Sequence, residues 1–156
     1  MNKNNVSHVI DIEERSVDER GSITSIMDGS FSNISIIKCN PDSIRSNHLH
    51  HNDTHHMYVL DGQIDYFYKD ERGELQYFKV LPGQTVYTPS NEMHATYFPV
   101  ETTLIVASKN PRDQVSYESD TVREEIITLK SVKDFFAAEK WAHISLRNAD
   151  FAMKNN

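Results

Sequence analysis

At 156 residues with 38% hydrophobic content, the chain suits one domain burying about two thirds of the surface its unfolded form exposes. A formal charge of −7 without a compensating basic block argues against a general nucleic-acid or membrane-surface binder. The single cysteine, Cys39, excludes an intrachain disulfide and a thiolate zinc cluster.

No apolar run approaches the roughly 18 residues of a membrane-spanning helix. The stretch MNKNNVSHVIDIEER lacks the apolar core of a secretory leader, so the cytoplasm is the expected compartment. In chain order, DERGSITSI (18–26) reads as a turn followed by a strand. From there to residue 108 the period is two. SNISIIKCN (32–40), HHMYVLDG (55–62), QIDYFYKD (63–70), LQYFKVL (75–81), TVYT (85–88), HATYFP (94–99) and TTLIVAS (102–108) are short, β-branched and aromatic. Turn-forming clusters separate them, among them Asp61-Gly62, Pro82-Gly83 and Pro89-Ser90-Asn91. Cys39 falls in the first of these runs as a small strand residue. The pattern predicts an antiparallel sandwich or barrel.

Past residue 108 the character changes. KNPRD is a loop, and 121–129 is a strand or extended arm. Residues 131–142 read as a helix with Ser131 as N-cap and Asp134 three residues on. Val132, Phe135, Phe136 and Trp141 form its apolar side, expected to pack on the barrel. The expected organisation is one domain: N-terminal strands in 1–30, a barrel core over 31–110, and a strand-and-helix tail over 111–156.

The densest chemistry lies in NHLHHNDTHH, residues 47–56, which holds five of the eight histidines. Imidazole is the commonest protein metal ligand and titrates near neutrality. His48 and His50, two apart, point to the same side of a strand. His55 precedes another strand, and His94 follows PGQTVYTPSNEM. This spacing suits a set lining the inside of a sheet rather than a helical site, where the histidines stand four apart. His51 and His56 alternate with the set and are expected on the surface or rim.

The order His48-x-His50, four residues, His55, six residues, Gly62 resembles the first motif of the cupin superfamily. Gly83, five residues, Pro89, one residue, Asn91, two residues, His94 resembles the second. The match covers residues 30–108 and differs at two places: His55 stands where cupins usually carry glutamate, and Asn91 where they carry glycine. Asn91 fits, since asparagine tolerates a left-handed turn. The resemblance implies an all-β jelly-roll barrel with a short C-terminal helix and a pocket in its mouth. Carried over, it implies a divalent metal ion on His48, His50, His55 and His94. Nitrogen-only ligation suits zinc, iron, nickel or copper better than magnesium or calcium. Four neutral imidazoles leave the ion's charge uncompensated, which favours an anionic substrate or hydroxide.

Within the cupins, DERGSI, Arg45 three residues ahead of His48, and the long tail look like the sugar-nucleotide cupins. These are the dTDP-hexose 3,4-ketoisomerases and, more distantly, the 3,5-epimerases. HLHHNDTHHMYVLDG is also similar to the cupin module of capsule-sugar epimerase–reductases. The resemblance implies a homodimeric isomerase or epimerase of a 4-keto sugar nucleotide. His48 or His50 is the candidate base, with His94 or a metal stabilising the enediolate. Arg45 is the candidate phosphate clamp, and Tyr58, Tyr66, Tyr68 and Tyr97 are candidates to return the proton or stack on substrate. The alternatives are a metal-dependent cupin dioxygenase and a non-catalytic sugar-binding cupin.

Overall fold

The computed structural model describes residues 5–139. Twelve strands follow one another as β1 (His8–Asp11), β2 (Glu14–Asp18), β3 (Gly21–Thr24), β4 (Asn33–Cys39), β5 (Ser43–His50), β6 (His55–Asp61), β7 (Ile64–Lys69), β8 (Leu75–Val80), β9 (Gln84–Thr88), β10 (His94–Phe98), β11 (Thr102–Ser108) and β12 (Thr121–Arg123). A short helix, α1 (Gln114–Asp120), precedes the last. One five-stranded sheet has the order β1-β9-β6-β11-β4 and the other β12-β5-β10-β7-β8; β2 and β3 form a separate hairpin. The pairings within these sheets are antiparallel. This is the antiparallel all-β arrangement the sequence pattern predicts, in the jelly-roll form that the resemblance implies.

Alternation decides which side of each strand faces inward. On β6, His55, Met57 and Val59 are buried while His56 and Tyr58 are only partly so. The core draws Cys39 from β4, Met57 and Val59 from β6, Val86 from β9, and Leu104 and Val106 from β11. The facing sheet contributes Ile64 and Tyr66 from β7, Val80 from β8 and Phe98 from β10. These two inner faces close over each other at the middle of the barrel, which leaves the histidine end to line a cavity.

The β6–β7 turn needs its glycine. Gly62 has φ +91°, and a Cβ there would stand 2.4 Å from the Glu101 carbonyl oxygen. The DERG stretch is the turn of the β2–β3 hairpin, where Asp18 Oδ1 accepts from the Arg20 backbone N–H at 2.8 Å.

The chain divides into two compact units, Met1–Ile126 and Ile127–Asn156. In the second, residues 129–139 are helical. Thr128 is the N-cap: its Oγ1 accepts from the Ser131 N–H at 3.1 Å, and Ser131 Oγ accepts from the Thr128 N–H at 2.8 Å. Ser131 therefore sits at the third helical position rather than at the cap, because the cap lies three residues earlier than expected, at Thr128. Val132 is buried, and the Phe135 and Phe136 rings meet edge-on at 5.3 Å. Trp141 and the expected helix end at 142 lie outside the described residues.

Candidate active site

The histidine pair is aimed by a bulge. His94 on β10 pairs with His48 on β5, but Ala95 pairs with Ser46, leaving Asn47 as an extra residue. Ser46 and Asn47 both take left-handed backbone, with φ +68° and +54°. Asn47 is tied to the segment after β12: its carbonyl accepts from Glu124 N–H and its Oδ1 from Ile126 N–H, each at 3.0 Å. The kink ends with His48 and His50 both buried on the inner side. Asn91, at φ +61°, adopts the left-handed turn expected of it. Its N–H donates to the His50 carbonyl at 2.7 Å, joining the two motifs.

Four imidazoles gather here. Ring centroids are 4.5 Å apart for His48 and His50, 4.9 Å for His48 and His94, 5.3 Å for His55 and His94, and 5.6 Å for His50 and His55. His51 is exposed, as expected for a rim residue. His56 is half-buried on the other side of β6, edge-on to Phe31 and tilted against Tyr87.

Burial disfavours the charged, protonated form of all four rings. It pushes His48 down to about 2, helped by His94 and His50, and His94 down to about 4. His55 lies well below the ordinary range for the same reason. His50 is also lowered by burial, but the carboxylates of Asp53 and Asp120 pull it back up. The cluster is therefore neutral at pH 7. His94 Nδ1 lies 3.0 Å from the Glu92 carbonyl, which can only accept, so Nδ1 carries the proton and Nε2 is bare. Tyr66 stacks parallel to His94 at 5.8 Å and donates its hydroxyl to Glu92 Oε1 at 3.2 Å. Among the buried side-chain atoms without a hydrogen-bond partner are His50 Nε2, His55 Nδ1 and His94 Nε2.

A cavity of about 280 Å³ opens beside the cluster. His48 and His55 line it, together with Arg45, Arg112, Tyr117 and, deeper in the barrel, Met57. Arg45 is exposed at the rim. Arg112 donates to Ser108 Oγ at 2.8 and 2.9 Å and lies 5.1 Å over the Tyr117 ring. Tyr117 in turn meets His50 at 5.3 Å and His48 at 6.2 Å. Arg112, Tyr117 and the residues of β12 lie beyond the cupin motifs, and periodicity could not find them. The one local signal was Asp113, whose side chain caps α1 by accepting from Ser116 N–H at 3.0 Å.

The four tyrosines named from the sequence stand away from this cavity. Tyr66 is wholly buried behind His94. Tyr68 lies beyond it, 6.4 Å from Tyr66. Tyr58 projects from the opposite side of β6 to His55, since the buried Met57 and Val59 flank it. Tyr97 lies between the cavity-lining Thr96 and Phe98, so it faces away, and it donates to Asp42 Oδ1 at 2.6 Å.

Bare, buried imidazole nitrogens fit a borderline divalent cation. One ligand atom each from His50, Asp53 and His55 lie within 4.8 Å of one another. Among the described residues His48 and His94 do not join that group, so the convergent set contains an acid absent from the motif. Asp53 is partly committed elsewhere: Oδ1 accepts from Asn110 N–H at 2.9 Å, and Oδ2 is 3.5 Å from Arg112.

No protein-family model matches the chain, and no curated protein sequence does. Solved structures do match. A TDP-bound double mutant of the QdtA 3,4-ketoisomerase from Thermoanaerobacterium thermosaccharolyticum is 20% identical, with a TM-score of 0.62, over 80% of this chain and 90% of that one. A 3,4-ketoisomerase from Helicobacter canadensis is 17% identical at a TM-score of 0.64, over 83% and 98%. The capsular polysaccharide assembling protein CapF from Staphylococcus aureus matches at 20% and 0.56, over 75% of this chain but 33% of that one. The chain thus has the cupin fold, in the form seen in these 3,4-ketoisomerases.

Proposed function

We propose that this chain is an isomerase or epimerase of a 4-keto sugar nucleotide, working by proton transfer α to the carbonyl. The observation that carries the reading is the neutral histidine cluster: His50 Nε2 is buried without a hydrogen-bond partner, and its neighbours His48 and His55 line a cavity bordered by two guanidinium groups. A proton next to a ketone is only weakly acidic. Removing it takes a neutral base held against the carbon and donors for the enediolate oxygen. In this account His50 takes the carbon-bound proton through Nε2 and returns it to the former carbonyl carbon, while the hydroxyl proton of the first carbon passes to the former keto oxygen, so the carbonyl moves and no proton is lost overall. His48 is the group beside it that shares the developing charge. Arg45 at the rim and Arg112 within the cavity hold the diphosphate.

The fold supports this reading: further structures that match are described as TDP-quinovose and TDP-fucose 3,4-ketoisomerases from Campylobacter jejuni, and one as a QdtA mutant in complex with TDP-4-keto-6-deoxyglucose. CapF, described as a capsular polysaccharide assembling protein, agrees with a role in making surface sugars. We further propose a cytoplasmic homodimer. No helix among the described residues is long and apolar enough to cross a membrane. Ile34 and Ile36, 69% and 72% exposed on the edge strand β4, form the apolar surface for a second copy.

A second reading keeps the metal. His50, Asp53 and His55 would hold zinc, iron or nickel, which when bound polarises the sugar's keto oxygen as a Lewis acid. The two readings compete for one atom, because a nitrogen that ligates cannot accept a proton. The test is conversion of TDP-4-keto-6-deoxyglucose to its 3-keto isomer, followed by NMR on chelator-treated protein with and without added zinc. Turnover that zinc suppresses supports the base reading, and turnover that requires zinc supports the second. Absence of turnover under both conditions contradicts both. Arg45→Ala should raise KM by about 10-fold or more, the loss of one charge-assisted hydrogen bond of roughly 1.5–3 kcal/mol.

A further inference from the structure

His50 is held from outside the cupin motifs. Across the β5–β12 ladder His50 pairs with Thr121, the residue that follows α1. Thr121 Oγ1 donates to the Tyr117 carbonyl at 2.6 Å, and a carbonyl can only accept. The hydroxyl's one proton is spent there. The same oxygen is 3.2 Å from His50 Nδ1, so it faces that nitrogen with a lone pair. Asp120 Oδ2 lies on the same side, 3.7 Å from Nδ1. Asp120 is itself fixed by the Asn52 and Asp53 backbone N–H groups, each at 2.9 Å. Among the described residues, two acceptors therefore face Nδ1 and no donor does.

We infer that Thr121 is a positioning residue that locks His50 in the tautomer protonated at Nδ1, leaving the buried, unpartnered Nε2 as the base. The inference rests on the reading of His50 as the base. In the opposite tautomer, Nε2 would carry hydrogen and the ring would have no lone pair to offer the substrate. Asp120 serves as a second acceptor that also stabilises the imidazolium formed once the proton is taken. The α1–β12 segment thus decides which nitrogen works, although it carries none of the histidines.

The test separates this tautomer from the function. Long-range proton–nitrogen NMR on ¹⁵N-labelled, chelator-treated full-length protein, with His50 assigned by a His50→Gln variant, reads the protonation of each ring nitrogen. The expected spectrum shows Nδ1 protonated and Nε2 bare. Thr121→Val should bring protonated Nε2 into the spectrum, while Thr121→Ser keeps the wild-type pattern. In turnover, Thr121→Val should lower kcat by at least about 10-fold, out of the 100- to 10,000-fold that a positioned base typically supplies. KM should change little, and Thr121→Ser should restore the rate. A wild-type ring protonated at Nε2, or a Thr121→Val protein with the wild-type tautomer, overturns the inference; the wild-type spectrum decides the matter even if Thr121→Val fails to fold. The expected tautomer in a protein that isomerises no keto sugar would overturn the functional reading and leave this one standing.

Discussion

Four uncharged imidazoles packed ring to ring form a base-rich site only while water is kept from them. Burial is the leading cause of the lowered proton affinity at His48, His50, His55 and His94 alike. The consequence for stability has a definite sign. In the unfolded chain a histidine takes its proton near 6.5, whereas His94 in the fold does so near 4. Between those values the unfolded state binds more protons, so acid favours unfolding and the stabilisation present above pH 6.5 is lost as pH falls. Each such group contributes a slope of about 1.4 kcal/mol per pH unit within its window, on the order of 3 kcal/mol for His94. Chemical denaturation of chelator-treated protein from pH 7 to 5 should show this loss. His94→Gln should flatten the slope, and an unchanged slope would show that His94 is not the neutral buried group described here. The glutamate-to-histidine change at position 55 belongs to the same electrostatics. The cluster gives up a carboxylate there, while Asp53 and Asp120, both buried, supply negative charge from behind His50 instead.

At the scale of elements, the site is a meeting of β5, β6 and β10 with the α1–β12 segment. Asp120 is the fastening between them, accepting from both Asn52 nitrogens at 2.9 and 3.0 Å and from Asp53 N–H at 2.9 Å. Burial alone would raise its proton affinity, but these bonds outweigh it and hold it low. Asp120→Ala leaves those donors unpaired and should destabilise the fold by about 3 kcal/mol in urea melts. Asp120→Asn should cost less. Equal, negligible losses would mean that the 51–53 turn stands without α1. This is also where the limits of the sequence lie. Strands with period-two alternation, the Gly62 turn and the left-handed Asn91 were legible because each is a local demand of backbone or burial. The pairing of His48 with His50 was legible because side chains alternate along a strand. Arg112, Tyr117, Asp120 and Thr121 were not, since they reach the site through a register between distant strands. The tyrosines stand outside the cavity for a related reason: strand phase, not residue type, decides that Tyr58 and Tyr97 face away from it.

For the whole molecule, the barrel supplies a rigid apolar floor, with Met57, Phe98 and Leu104 lining the inner part of the cavity. The polar rim is added by Arg45 and by the segment that follows β11. The edge strand β4 leaves Ile34 and Ile36 exposed, the surface proposed for a second copy. Ile36→Asp should turn a dimer into a monomer in sedimentation analysis while leaving the circular dichroism spectrum unchanged; a wild-type monomer would contradict the dimer. The most direct test of the central claim is solvent exchange. TDP-4-keto-6-deoxyglucose incubated with chelator-treated protein in deuterium oxide should gain deuterium at the carbon next to the ketone. With His50→Asn that gain should fall to the uncatalysed background. Undiminished deuterium incorporation by His50→Asn would contradict the assignment of His50 as the base.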